Sequence, residues 1–477
     1  MEFLNLPLEL LTQILSHLAQ PKHLAYACRV SKTFHEFGVS RLYERASIYS
    51  WHKHAKARVV SLFNTLAHYP HLAKHVLKLE IRDFPKSVAA DELGELVVKG
   101  LRNCVSLRAC TWTRDGALNS AVLAVLQASD TLLELEINGH SDGHYDAALL
   151  RGFAHLRRVS LIMPSADVVR QLQPWMASTG AQLRNLTLIC KMSPLVTDGV
   201  LEAIAPSLAQ LEKFSITGCP RVSHLGIWAL LAHNTAGLRV LGLEGHAVKF
   251  NIAALSAHCA GSNALARLQS FTLSIHTEAW LAAAAALVVP APLEAIHLYA
   301  TRAFTPTAAG DAFWQDLVSL HGARLTRVSV HRMSISLPAI ADVCVRCPAL
   351  QELFIVVDPS SLVRFVLATF HSSTNAERSA QGPLTDCLAS ARALTTVHVN
   401  FPSRQEDEFG PNLLTAPQAL AIVHRCPDTI ALFGCNARVW HVGRQIQRSE
   451  TGELVAERFL AKYDSPDIPE QFLVVRT

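Results

Sequence analysis

Between Leu183 and Gly245 the chain writes one pattern almost three times in succession, and nothing else in it restricts the fold so tightly. Leu183, Leu211 and Leu238 open the copies, 28 and 27 residues apart. Each opening puts apolar side chains at its first, fourth and sixth positions: Leu183/Leu186/Leu188, Leu211/Phe214/Ile216 and Leu238/Leu241/Leu243. That spacing suits a short strand with one buried face. A turn follows, then a segment of helical period, with Val200, Leu201, Ile204 and Leu208 in one copy and Leu225, Ile227, Leu230 and Leu231 in the next. Thr197 and Ser223 are the expected N-caps. A strand–helix unit this short cannot bury its apolar side alone, so the copies must stack.

The same opening recurs at Val76/Leu79/Ile81, Leu107/Cys110/Trp112, Leu132/Leu135/Ile137 and Leu156/Val159/Leu161. Beyond the central copies it recurs at Leu268/Phe271/Leu273, Leu293/Ile296/Leu298, Leu325/Val328/Val330, Leu350/Leu353/Ile355 and Leu394/Val397/Val399. About twelve strands are predicted, with Ile430–Phe433 as a thirteenth. The copies resemble leucine-rich repeats of pattern LxxLxLxx(N/C). The middle one carries Cys219 at the ninth position, followed by Pro-x-Val-Ser-x-x-Gly-Ile; elsewhere that position holds Lys191, His140 or His246. The resemblance implies an α/β solenoid over residues 76–435, with parallel strands on the concave face and helices on the convex one. The wide spacing from Leu350 to Leu394 places a loop at His371–Leu384, and an acidic cluster, Glu406–Glu408, falls in the next connection. Over 436–477 the character changes. Arg438–Val442 alternates, and Glu450–Glu453 reads as the turn of a capping β-hairpin, ahead of a tail.

Residues 1–46 form a separate module. Leu6, Leu10, Leu11, Ile14, Leu15 and Leu18 make one broad helical stripe, with Asn5 as cap and Pro7 in the first turn. Leu24, Ala27 and Cys28 give a second short helix, and Ser31 caps a third carrying Phe34, Phe37 and Leu42. Three helices this short make a marginal core, so a stripe this wide is expected to serve a partner too. The run LPLELLTQILSHL, then HLAYACRVSKTF, then Leu42-Tyr43 resembles an F-box, with His23 where an Asp commonly stands. That resemblance implies a three-helix module docking on a Skp-family adaptor, and through it a cullin, while the repeats hold a protein target for ubiquitin transfer by another subunit. By motif match the adaptor face is Leu6, Pro7, Leu10, Ile14, Leu15 and Leu18, supported by Leu24, Val30 and Phe34. Residues 47–75 read as a linking helix with Val59, Val60, Leu62, Phe63 and Leu66 inward.

Chemistry within the chain is not expected. GxSxG, GxGxxG, GxxxxGK(S/T), HExxH and kinase-type sets are absent from the sequence, and neither a cofactor nor a metal is expected. Cys344 and Cys347 form a CxxC, but Cys347, Cys104 and Cys426 share one position, three residues before Leu350, Leu107 and Thr429, which predicts buried thiols. A formal charge of +4 over 477 residues argues against nucleic acid. The longest apolar run, Trp280–Val289, is far short of the roughly 20 residues that span a membrane. The opening residues lack a basic segment of secretory type, and the scattered cysteines suit a reducing compartment, cytosol or nucleus. The remaining role is binding. Strand residues alternate between faces, and the sheet face of the C-terminal half presents His297, Tyr299, Arg327, His331, an exposed Phe354 and His398 as the expected target contacts. A scaffold or inhibitor working outside ubiquitination is the other reading.

Overall fold

The computed structural model describes residues 7–18, 20–85, 90–247, 249–358, 383–401, 414–436, 438–448 and 454–463. Leu6, residues 371–382, the acidic cluster at 406–408, the turn at 450–453 and the tail lie outside them. Three helices come first: α1 (Leu8–Ser16), α2 (Pro21–Ala27) and α3 (Lys32–Glu44). Pro7 precedes α1 and Pro21 opens α2, where a missing N–H has no intrahelical partner to lose. The Ser31 hydroxyl caps α3, accepting the Phe34 N–H at 3.1 Å. Leu11, Leu15 and Leu24 are buried among the three helices. Gly38 on α3 permits their approach. A Cβ there would lie 2.7 Å from Cys28 Sγ and 3.6 Å from Leu15 Cδ1, which accounts for a glycine whose helix propensity is about 1 kcal/mol below that of alanine.

Helix α3 runs directly into β1 (Arg45–Ile48), which pairs in parallel with β2 (Lys78–Ile81). Between them lie α4 (Ala55–His68) and α5 (Pro70–Ala73). Val59, Phe63 and Leu66 of α4 are fully buried, at helical spacing.

The chain divides into two compact units. The first holds the chain up to Val222 together with His233–Ala236. After β2 it adds β3 (Ala109–Trp112), β4 (Glu134–Asn138), β5 (Arg158–Ile162), β6 (Asn185–Ile189) and β7 (Lys213–Thr217). Each strand pairs in parallel with its predecessor. The second unit, Ser223–Ala232 and Gly237 onward, adds β8 (Val240–Glu244), β9 (Ser270–Ile275), β10 (Ala295–Phe304), β11 (Arg327–Ser334), β12 (Glu352–Val356), β13 (Thr396–Asn400) and β14 (Leu432–Cys435). These also pair in parallel and in order. The hairpin β15 (Arg438–Arg448) and β16 (Leu454–Lys462) follows, antiparallel.

Among the described residues, seven parallel strands in each unit include all the predicted ones, and β1 in addition. The apolar pairs of each strand, such as Leu186/Leu188 and Phe214/Ile216, are wholly buried. Within each unit, from β2 and from β8 onward, one carbonyl ahead of a strand joins it to the next repeat by accepting two N–H groups. Arg184 O takes those of Glu212 and Lys213 at 2.7 and 2.8 Å, and in the second unit Thr326 O takes those of Gln351 and Glu352 at 2.8 and 3.0 Å. Backbone donors that would be orphaned at the turn are thereby satisfied. Cys104, Cys347 and Cys426 are buried where their helices end, and burial pushes each thiol up to about 12. Pro383 and Leu384, read from the sequence as the end of a loop, instead begin the helix Pro383–Ser390, which buries Leu384 and Leu388.

Candidate functional site

Helix α1 is apolar over more of its circumference than its neighbours cover. Leu11 and Leu15, four apart, turn inward. Leu10 and Ile14, also four apart and so adjacent on the helix surface, remain 39% and 38% exposed. Leu8 is exposed at the start of the same helix. Tyr26 and Val30, four apart across the end of α2, are exposed as well. Covering the open part of Leu10 or Ile14 is worth on the order of 1–2 kcal/mol each. That is less than the cost of bringing two proteins together, so a stable complex needs the neighbouring apolar side chains too.

This arrangement sorts the residues expected at the front face. Pro7, Leu10, Ile14 and Val30 are exposed, and Leu18 and Phe34 are partly so. Leu15 and Leu24 are buried in the module itself and hold its helices together; the one-face stripe read from the sequence is in fact divided between core and surface. Leu8 and Tyr26 join the exposed set. Leu8 lies in the motif's own run, but Tyr26 carries no signal in the leucine spacing.

In the first unit, charges are paired between β1 and β2, from the end of β2 over β3 to β4, and between β4 and β5. Arg45 Nε meets Glu80 Oε2 at 2.7 Å, Arg82 Nη1 meets Glu136 Oε1 at 2.9 Å, and Arg158 Nη1 meets Glu134 Oε2 at 3.4 Å. Glu80 is buried, and the Tyr49 hydroxyl also reaches it, at 3.4 Å. A carboxylate so placed requires its partners, because an unpaired buried charge is expensive.

The expected contacts on the second unit fall in register across β10 to β13. His297 stands opposite Ser329, Ser329 opposite Phe354, and Phe354 opposite His398. His297 Nδ1 and Ser329 Oγ are 2.8 Å apart, and the His297 and His331 rings are 5.1 Å apart. Burial, followed by the neighbouring His331 and Arg327 charges, pushes His297 down to about 3. Arg327 is engaged by Glu352 at 2.7 Å, and Tyr299 has the Arg332 guanidinium over its ring at 5.6 Å. Phe354, expected to be exposed, is only 1% accessible, and His398, stacked on it at 5.9 Å, is 2% accessible. Alternation along the strand placed them correctly on the face opposite the leucines, but that face is covered here, so they are core. His398 Nε2 lies 2.9 Å from Asn436 O, and burial still pushes the ring down to about 4.

Among the described residues no cluster of three His, Cys, Asp or Glu could hold a metal ion, and no helix is long and apolar enough to cross a membrane.

Residues 3–49 match the F-box-like family model. No curated protein is a significant match. Among solved structures, the chain is similar to one from the crystal structure of the Rad7 and Elc1 complex in yeast, at 14% identity over 65% of this chain and 89% of that one, with a TM-score of 0.38. It is similar also to the leucine-rich repeat-containing protein LegL7 from Legionella pneumophila, at 11% identity over 66% and 96%, again with a TM-score of 0.38. Likenesses that distant do not bear on function. The match at the front and the strand–helix repeats behind it together make this an F-box-like domain followed by leucine-rich-repeat units.

Proposed function

We propose that the chain is a non-catalytic receptor subunit of a ubiquitin ligase, which docks on a Skp-family adaptor, and through it a cullin, by the front helices and holds a target protein on the repeats. The observation that carries this reading is the F-box-like domain with Leu10 and Ile14 open to solvent on α1. Catalysis in such an assembly is proximity: a target lysine is held at high effective concentration near a thioester on another subunit. Eleven cysteines, none of them in a disulfide among the described residues, support residence in the reducing cytosol or nucleus.

Co-purification of the full chain with a Skp-family adaptor tests the reading. Leu10→Asp with Ile14→Asp is expected to abolish the complex, since each buried, unpaired carboxylate costs several kcal/mol. The melting temperature of the free protein should stay close to wild type, because both side chains already face water. Leu15→Asp should instead unfold the front module. An adaptor complex that survives the double substitution would sink the proposal.

A further inference from the structure

The parallel strands of the second unit run for 4 to 6 residues, except β10 with 10 and β11 with 8. Both break register, between Tyr299 and Phe304 and between Ser329 and Ser334. Arg332, inside the break, holds φ at +55°, a left-handed conformation that non-glycine residues adopt only where the surroundings impose it. The extra length carries Phe304 and Ser334 past the repeat. A cleft of about 250 Å³ lies between them and the helices Ala279–Val288 and Ala308–His321.

The walls of this cleft are of two kinds. Leu281, Phe304 and Trp314 make one side apolar, while Glu278, Asp311 and Ser336 contribute polar groups. Asp311 Oδ1 accepts the Ser336 hydroxyl at 2.6 Å. Glu278 Oε1 is buried and meets no hydrogen-bond donor, and neither carboxylate has an ion pair among the described residues. Glu278 is half-buried as a whole, and a carboxylate oxygen shielded from donors by its surroundings is well placed to meet a cation. Two carboxylates without an ion pair, Glu278 half-buried and Asp311 exposed, disfavour an anion and favour a cation. The volume is below the roughly 300–1,000 Å³ of a small-molecule site but suits one long side chain. Lys and Arg combine an aliphatic stem that lies along apolar surface with a charged head that needs polar partners.

We propose that this cleft receives a lysine or arginine side chain from a protein segment bound to the second unit, its cationic head on Glu278 and Asp311. The proposal rests on the reading of the repeats as the target-holding surface. It moves that surface away from the sheet face, where Phe354 and His398 are already covered, to the strand ends.

A display library of random dodecapeptides, selected on the purified full-length chain, provides the probe. Enriched peptides are expected to share a Lys or Arg. Replacing that residue by norleucine should weaken binding, read by fluorescence polarisation, by about tenfold or more, the scale of a lost charge-assisted hydrogen bond. Glu278→Gln and Asp311→Asn should each weaken the parent peptide similarly while barely affecting the norleucine version, with melting temperatures unchanged. An empty selection, enriched peptides without a basic residue, or equal affinity for Glu278→Gln would each overturn the proposal. No adaptor enters this measurement, so failure here leaves front-helix docking standing, and failure of adaptor docking leaves this result intact.

Discussion

Phe354 and His398 sit at strand positions that alternate away from the leucines, yet they behave as core. His398 fits because Gly434 stands opposite it; any Cβ there would collide with the imidazole. A glycine in a strand often marks such a close approach. Phe354→Ala is therefore expected to lower the stability of the chain by about 3–5 kcal/mol, measured from the denaturant midpoint. A loss below about 1 kcal/mol would return the residue to the surface. Strand alternation was legible in the sequence, since it follows from backbone geometry alone. How far a face is buried was not, because that depends on packing between strands far apart in sequence, as where His398 meets Gly434 and Asn436. The same limit applies at α1, where spacing identified a broad apolar stripe but could not divide Leu11 and Leu15 from Leu10 and Ile14.

At the scale of elements, the repeats were nearly fully legible because a strand opening of three apolar residues recurs at every stacking position. β1 was missed for the converse reason: Arg45-Ala46-Ser47-Ile48 has only Ile48 wholly buried. It is nonetheless the outermost strand of the first unit, and it covers the β2 backbone in parallel from Arg45↔Lys78 to Ile48↔Ile81. Removing residues 1–44 should leave a soluble protein whose β2 edge is still paired. Removing residues 1–50 should expose that edge and promote self-association, seen as larger species by light scattering. Identical behaviour of the two truncations would deny β1 this protective role. The cleft beside β10 had only a faint sequence signal, a 32-residue step from Leu293 to Leu325. The register breaks behind it depend on backbone geometry that residue spacing does not encode.

At the scale of the whole molecule, much of the histidine content of the second unit is held uncharged inside it. Burial pushes His246 and His398 down to about 4 and His297 to about 3, and it lowers His276 and His331 as well. An unfolded histidine titrates near 6.5. The stabilisation is therefore complete above about pH 6.5 and is lost as the pH falls toward about 4 for His246 and His398 and about 3 for His297, because the unfolded chain takes up protons that the folded chain excludes. The urea midpoint should drop between pH 7.5 and 5.5, above the range of ordinary carboxylates. Glutamine at positions 246, 297 and 398 should flatten that slope, and a midpoint independent of pH in the wild type would refute the assignment. Part of the chain's complement of 23 histidines is thus interior. Finally, Glu44 ends α3 and Arg45 begins β1 with no residue between them, while Glu44 O accepts the Leu77 N–H at 3.0 Å. Anything clamped onto the front helices is consequently aimed rather than leashed: its bearing relative to the first strands is set by a joint with no slack, so a rotation at one is delivered to the other.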